Sequence, residues 1–229
     1  MQYIQNNYIT VGYGLKRSYG GNQMASASST MREVGCGVIA ALDLLLYLCR
    51  FHSDSACEFF AEAAEDGCID EKEYDELAQR LSKRFFPMIP KLGINGLMLA
   101  AGLNRFFRHY RLPYRAGWGF GSGKLFAEIE DMLARDIPVI LSVGPNFPLF
   151  WQKHELSFYA SRADGSFYRA CGIKAHYVTV TGIDAQRLQI SSWGRAYYID
   201  RGEYMDYIRR RSGSIVSNIV KIRETKNGT

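Results

Sequence analysis

One cysteine lies between two glycines at the start of an apolar segment. Cys36 is flanked by Gly35 and Gly37, and the run 38–48 contains one charged residue, Asp43, which is expected to face a polar partner. Such a run predicts a buried helix that begins at the cysteine. A helix amino terminus presents unpaired N–H groups and partial positive charge, which favour a thiolate. Cys36 is therefore the predicted nucleophile; the alternative is an inert core residue, as buried free cysteines often are.

A cysteine nucleophile needs a general base, and the chain contains four histidines. His176 opens the apolar, β-branched segment 177–183, which predicts a buried strand with the imidazole fixed at its start. We therefore predict His176 as the base. The other three lie in charged or loop segments and are expected to be structural or surface residues: His52, His109 and His154.

The base also needs a partner that orients its second ring nitrogen. The next predicted strand ends in Ser191 and Ser192, followed by Trp193. An antiparallel pairing of the two strands would bring this segment beside the imidazole. Ser191 is the predicted orienting residue, and Ser192 is the second choice. Trp193 is expected to shield the pair from water, which strengthens the interaction; alternatively, it only packs the strand end.

The order of these motifs resembles that of the papain-like cysteine peptidases, and is most similar to their bacterial C39-like branch. Gly35-Cys36-Gly37 opens the apolar helix, the motif 176–182 comes late in the chain, and Ser192-Trp193-Gly194 follows on the next strand. The resemblance implies a papain-like α+β fold, in which a helical lobe packs on a mainly antiparallel β lobe. It also implies a Cys–His acyl-enzyme mechanism that requires no cofactor and no metal.

Two positions differ from the pattern of that family. The family has Asn or Asp where this chain has Ser191, and a serine adds no negative charge beside the imidazole. The family's oxyanion-hole glutamine falls where this chain has Thr30, so Gln23, further upstream, would have to fold back to the site. The predicted oxyanion or supporting residues are Gln23, Gly37, Ser192 and Trp193.

The elements that must position these residues change in type near the middle of the chain. Helices are predicted over 36–50, 54–65, 70–84, 93–111, 122–135 and 203–211. Strands are predicted over 114–120, 137–143, 156–160, 166–171, 177–183, 188–191, 196–199 and 215–222, and residues 1–33 are predicted as strand fragments and loop. Helices followed mainly by antiparallel strands predict an α+β fold. We predict one domain over 1–229, with a mainly helical lobe (1–112) and a mainly β lobe (113–229).

Composition limits the possible partners and cofactors. The net charge of +5 is mild and no long basic block is present, so no nucleic-acid partner is expected. Five scattered cysteines without a Cys-x-x-Cys pair favour neither a disulfide framework nor a zinc site, although Cys49, His52 and Cys57 lie close in sequence. No signal peptide is visible and no apolar run approaches the roughly 20 residues of a membrane span, so a cytoplasmic protein without membrane contact is expected.

The leading functional hypothesis is a thiol hydrolase that acts on a peptide or amide bond. Its specificity is expected to come from the Pro-, Phe- and Trp-containing loops 85–96 and 144–155. The second hypothesis is a catalytically impaired papain-like domain that binds a peptide or a partner protein, because the Asn/Asp and Gln positions are altered. A third is a structural or nucleic-acid module that uses the Arg- and Tyr-rich segments.

Overall fold

A computed structural model describes residues 1–52, 58–60, 68–149 and 151–225. The α-helices of these residues are α1 (Ser29–Val34), α2 (Cys36–Phe51), α3 (Glu71–Phe85), α4 (Gly96–His109), α5 (Leu125–Ala134) and α6 (Arg201–Arg210). The strands are β1 (Gln2–Tyr3), β2 (Thr10–Tyr13), β3 (Lys16–Arg17), β4 (Cys68–Asp70), β5 (Tyr114–Trp118), β6 (Val139–Val143), β7 (Leu156–Ser161), β8 (Phe167–Ile173), β9 (His176–Ile183), β10 (Arg187–Ser192), β11 (Arg195–Asp200) and β12 (Val220–Glu224). Single 3-10 turns span Gln23–Ala25 and Glu58–Phe60.

The predicted α+β class is confirmed, and α2 begins at the predicted cysteine. Two elements were not predicted: α1, which lies in the segment expected to be loop, and the short strand β4. Both are too short to show a clear hydrophobic period. The start of α1 is fixed by Ser28, whose hydroxyl accepts a hydrogen bond from the Met31 N–H. The predicted helix 54–65 lies outside the described residues except for 58–60.

A seven-stranded sheet forms the centre of the protein, with strand order β1-β9-β10-β11-β7-β8 and β6 paired with β9. Every pairing in this sheet is antiparallel. β9 is its central strand, because it pairs with β10 on one edge and with β6 and β1 on the other. Its run of β-branched residues is buried on both faces. His176, the first residue of β9, faces Val143 across the ladder to β6.

Helix α2 packs on β9, and this contact brings the cysteine to the histidine. Residues 37–48 of the helix are all buried, as expected for a helix that is apolar nearly all round. The packing is close because Gly37 has no side chain. A Cβ atom at Gly37 would lie 2.5 Å from Ile94 Cγ2 and 3.3 Å from the Tyr177 ring. The amino terminus of α2 therefore lies against the first residues of β9.

Two smaller sheets complete the described structure: β3-β2-β4, in which β2 and β4 are parallel, and the antiparallel pair β12-β5. None of the described helices is long and apolar enough to cross a membrane. The three histidines expected to be structural all contact other polar side chains. His52 Nε2 lies 3.2 Å from an Asp136 carboxylate oxygen, and the rings of His109 and His154 contact Arg84 and Arg211.

Candidate functional site

The predicted site residues come together at one small cavity between α2 and the start of β9. Its volume is about 10 Å³, which leaves room for about one water molecule. The predicted residues that line it are Gln23, Cys36, His176, Ser191, Ser192 and Trp193. Gly37 lies next to the cysteine in the first turn of α2. The fold thus gathers four separate segments of the chain around a single thiol.

The His176 imidazole is held on one edge and one face. Its Nε2 lies 2.8 Å from Ser192 Oγ, and the ring stacks on Trp193 with centroids 4.6 Å apart and an interplanar angle of 18°. Only 8% of the residue is exposed. If Nε2 carries the proton and donates it to Ser192, then Nδ1 is the unprotonated nitrogen. This arrangement leaves Nδ1 as the ring atom able to accept a proton.

The partner of His176 is Ser192, not Ser191, the residue predicted first. The Ser191 hydroxyl donates instead to the carbonyl of Tyr19, at 2.7 Å. Neighbouring residues of a strand point to opposite faces, so only one of the two serines can face the imidazole. The register between β9 and β10 shifts between Gln189 and Ile190, and this irregularity decides which serine does so.

Backbone strain lies on both sides of the imidazole. Trp193 and Gly194 form the two-residue turn between β10 and β11, with φ of 48° and 72°. Ala175, directly before His176, has φ of 51°. A non-glycine residue in this left-handed region costs about 1–3 kcal/mol, and such residues concentrate at functional sites. The tryptophan occupies a turn position that normally favours Asn or Gly, and there its ring covers His176.

The thiol and the imidazole are both neutral at rest. Cys36 is a half-buried residue, and burial raises the pKa of its thiol, while the N–H groups of Tyr177, Gly37 and Cys36 itself oppose that rise. Burial lowers the pKa of His176 from 6.5 to about 4. Desolvation therefore outweighs the helix amino terminus, which alone predicted a thiolate. Within the described part of the chain, no hydrogen bond joins the thiol to the imidazole.

Gln23 is returned to the site by a local fold that the sequence did not predict. The Asn22 side chain accepts from the Met24 N–H and starts the 3-10 turn that contains Gln23. The Gln23 Nε2 donates to the Arg32 carbonyl at 2.9 Å, which ties the turn to α1. An amide nitrogen has two hydrogens, so one remains for a ligand. The buried Gln23 side chain thus reaches the cysteine cavity despite its distance along the chain.

A buried carboxylate lies two helical turns beyond the cysteine in α2 and also lines the cavity. Asp43 accepts hydrogen bonds from Tyr8 Oη (3.0 Å), Tyr74 Oη (2.6 Å) and the Gly21 N–H (3.1 Å), so the expected polar partners are present. Burial raises its pKa from 3.8 to about 6, although these donors oppose the rise. Through its bond to the Gly21 N–H, Asp43 ties the segment that precedes Gln23 to α2.

The residues around Asp43 were not predicted as part of the site. Tyr8 and Tyr74 lie in segments far apart in sequence, and only the single charge in the apolar run indicated that polar partners had to exist. Gly20 and Gly21 leave space for this cluster. A Cβ at Gly20 would lie 2.5 Å from Asp43 Oδ2, and one at Gly21 would lie 2.0 Å from Tyr74 Oη.

We expect Gly37→Ala to destabilise the protein by about 1–3 kcal/mol, the usual cost of overpacking a tight contact. The added methyl would meet Ile94 and the Tyr177 ring, and would push β9 away from the amino terminus of α2. Urea unfolding would measure the change in the free energy of unfolding. Gly123→Ala is the matched control, because nothing lies within 4 Å of its Cβ position. Equal effects of the two substitutions would contradict the packing role of Gly37.

Comparison of the chain with known proteins identifies no family. No protein-family model matches the chain, and no curated protein matches it. In the described ranges, no group of three or more His, Cys, Asp or Glu side chains could hold a metal ion. Among the described cysteines, Cys36 and Cys171 are free thiols. Residue chemistry and position are therefore the basis for the function considered next.

Proposed function

We propose that this protein is a papain-like thiol hydrolase that cleaves a peptide or amide bond. The observation that carries the proposal is the shared cavity, in which the cysteine at a helix start meets a buried imidazole already held by Ser192. A nucleophile, a base and an orienting residue are the parts that this chemistry needs. The resemblance of the motifs to the papain-like peptidases, and in particular to the C39-like branch, supports the same conclusion.

In the proposed reaction the thiol proton moves to Nδ1 of His176 as Cys36 Sγ attacks the carbonyl carbon. The new C–S bond gives a tetrahedral oxyanion, which collapses to a thioester as the C–N bond breaks and the imidazolium returns its proton to the amine. Water, activated by the neutral imidazole, then cleaves the thioester and restores the thiol. The N–H groups of Cys36 and Gly37 and the Gln23 amide are the donors available to the oxyanion.

The two loops predicted to give specificity, 85–96 and 144–155, support a proposal for the substrate class. Gly93, in the loop before α4, lies against Val34, since its Cβ position is 3.1 Å from the Val34 carbonyl oxygen. This loop exposes Leu92, which is 80% accessible. The other loop begins at Gly144, whose carbonyl accepts from the Ala175 N–H, and it exposes Trp151, which is 75% accessible. We propose that these apolar side chains bind apolar residues of a peptide on either side of the scissile bond.

The direct test is peptide cleavage by the purified chain. A mixture of peptides with apolar residues, followed by mass spectrometry, should reveal new termini with the wild type and none with Cys36→Ala. Cys171→Ala is the matched control, because this half-buried thiol does not line the cavity and should leave cleavage unchanged. Cleavage that survives Cys36→Ala would refute the proposed nucleophile.

A second candidate is a catalytically impaired domain of the same kind that binds peptides. It is favoured by the small cavity and by the absence, within the described residues, of a thiol–imidazole hydrogen bond. Under this alternative, the same peptide mixture is retained by both wild type and Cys36→Ala but never cleaved. Equilibrium retention measured beside the cleavage assay therefore separates the two functions.

The two serines provide a matched pair of substitutions. Ser192→Ala removes the partner of His176 Nε2 and should lower kcat/KM about tenfold or more, since about 1.4 kcal/mol of lost positioning corresponds to a factor of ten. Ser191→Ala removes only the bond to the Tyr19 carbonyl and should cost about 1 kcal/mol of stability while kcat/KM is retained. Peptide-cleavage kinetics and urea unfolding of both variants would test this assignment. The opposite pattern would restore Ser191 as the orienting residue.

A further inference from the structure

A second and much larger cavity lies along α4 and β5. Its volume is about 1100 Å³, and it shares no lining residue with the cysteine cavity. This volume is slightly above the roughly 300–1,000 Å³ typical of small-molecule pockets. We call it the arginine cavity, after its four arginines: Arg105, Arg108, Arg111 and Arg115.

Local structure explains why the four arginines converge. Arg105 and Arg108 are three residues apart on α4 and therefore lie on the same side of the helix. The chain then turns at Arg111, which has the left-handed φ of 52°, and returns along β5, where Arg115 follows. A non-glycine residue in this left-handed region is strained, and such strain concentrates at functional sites.

The positive charge of the cavity is not neutralised by its own walls. Among the residues that the structure describes, no Asp or Glu lines it and none of the four guanidinium groups forms an ion pair. The residue opposite Arg115 across the β5–β12 ladder is Arg223, a second cation. Like charges placed directly opposite are destabilising unless an anion lies between them. One carboxylate, Glu224, lies opposite Tyr114 in this ladder. A single negative charge does not balance the arginines, so the net charge around the cavity stays positive.

The remaining lining residues indicate what else a ligand of this cavity would contact besides the arginines. Phe107 and Leu112 are buried and form an apolar floor below the arginines. The Asn104 side chain donates to the Ala116 carbonyl and accepts from the Ala116 N–H, at 2.8 Å in each direction, so the main chain of β5 fixes its orientation in the cavity wall. Recognition therefore depends on charge at the rim and apolar contact at the floor.

We propose that the arginine cavity binds a small molecule that carries a di- or triphosphate group on an aromatic body. Guanidinium groups match phosphate oxygens in a bidentate manner, and several of them can share one polyphosphate. The volume, close to that of small-molecule pockets, and the apolar floor favour a small organic ligand over an extended polymer. The site does not depend on the proposed hydrolase function, because the two cavities have separate walls.

The test uses ATP as the probe, in buffer that contains EDTA, with isothermal titration calorimetry on the full chain. The wild type should bind ATP, and Arg108→Ala/Arg111→Ala should bind it at least about tenfold more weakly, because the substitutions remove charged hydrogen bonds from guanidinium to phosphate. Arg105 is retained because its guanidinium also donates to the Phe85 carbonyl. Thermal unfolding would verify that the double variant remains folded.

Arg209→Ala/Arg210→Ala is the matched control, because it removes the same charge from the exposed end of α6. It should leave ATP affinity unchanged. Adenosine should not bind, and tripolyphosphate should bind more weakly than ATP because it cannot use the floor. The proposal is overturned if wild type does not bind ATP at millimolar concentration, if both double variants lose affinity equally, or if tripolyphosphate binds as tightly as ATP. Tighter binding of a single-stranded oligonucleotide through the same arginines would instead assign a nucleic-acid surface.

Discussion

Replacing His176 with glutamine is expected to lower kcat/KM for peptide cleavage by about 10²–10⁴-fold, the usual contribution of a general base. Glutamine can retain a hydrogen bond to Ser192, but its amide cannot take the thiol proton at neutral pH. Cys36 would then have to ionise without help, although burial raises the pKa of its thiol. Steady-state kinetics of His176→Gln beside His109→Gln would measure the effect, since His109 lies at the end of α4, outside the cysteine cavity and both proposed peptide-binding loops.

The pH dependence of the wild type tests the same step in another way. Burial holds the pKa of His176 near 4, so the imidazole is neutral and able to act as a base throughout the range above that value. The acid limb of kcat/KM in the free enzyme should therefore fall near pH 4. An acid limb near 6.5, the ordinary value for histidine, would mean that the imidazole is solvated when it works and that the cavity opens before substrate binds.

Sequence reasoning located the proposed nucleophile and the proposed base because each opens a strongly patterned element. The apolar run after Cys36 predicted a buried helix, and the β-branched run after His176 predicted a buried strand. These two residues thus had predictable positions along the chain, and a close contact between helix and strand placed them at one cavity. The same patterns predicted the α+β class, which the sheet order confirms.

Features that depend on tertiary detail could not be predicted in this way. The choice of Ser192 over Ser191 depends on the register shift beside Gln189, which has no signal in a single sequence. The place of Gln23 depends on α1, a helix too short to show a period. The neutral state of Cys36 is a consequence of burial, whereas the sequence revealed only the favourable helix start. In each case a non-local contact outweighed a correct local argument.

The second large effect concerns how stability depends on pH, where His176 and Asp43 act in opposite directions. Below pH 6.5 an unfolded chain protonates its histidine, but folded His176 stays neutral until about 4, so acidification costs stability across that window. Folded Asp43 keeps its proton up to about 6, while an unfolded aspartate releases it near 3.8, so stability falls as the pH rises through that window. Each effect amounts to about 3 kcal/mol, at 1.36 kcal/mol per pH unit between the folded and unfolded pKa.

Because the two windows overlap between about pH 4 and 6, the wild type should gain little net pH dependence from this pair. Each substitution removes one of the two contributions and should therefore reveal the pH dependence that the other residue gives to the free energy of unfolding. The free energy of unfolding of His176→Gln, relative to wild type, should rise by about 3 kcal/mol from pH 7 to 4, whereas that of Asp43→Asn should fall by about the same amount from pH 6 to 4. Urea unfolding at half-unit pH intervals measures both differences, and any constant cost of lost hydrogen bonds cancels from the slopes. Differences that stay flat with pH would mean that neither group is desolvated in the folded protein. The conclusion that the buried thiol and imidazole are neutral at rest would then fail as well.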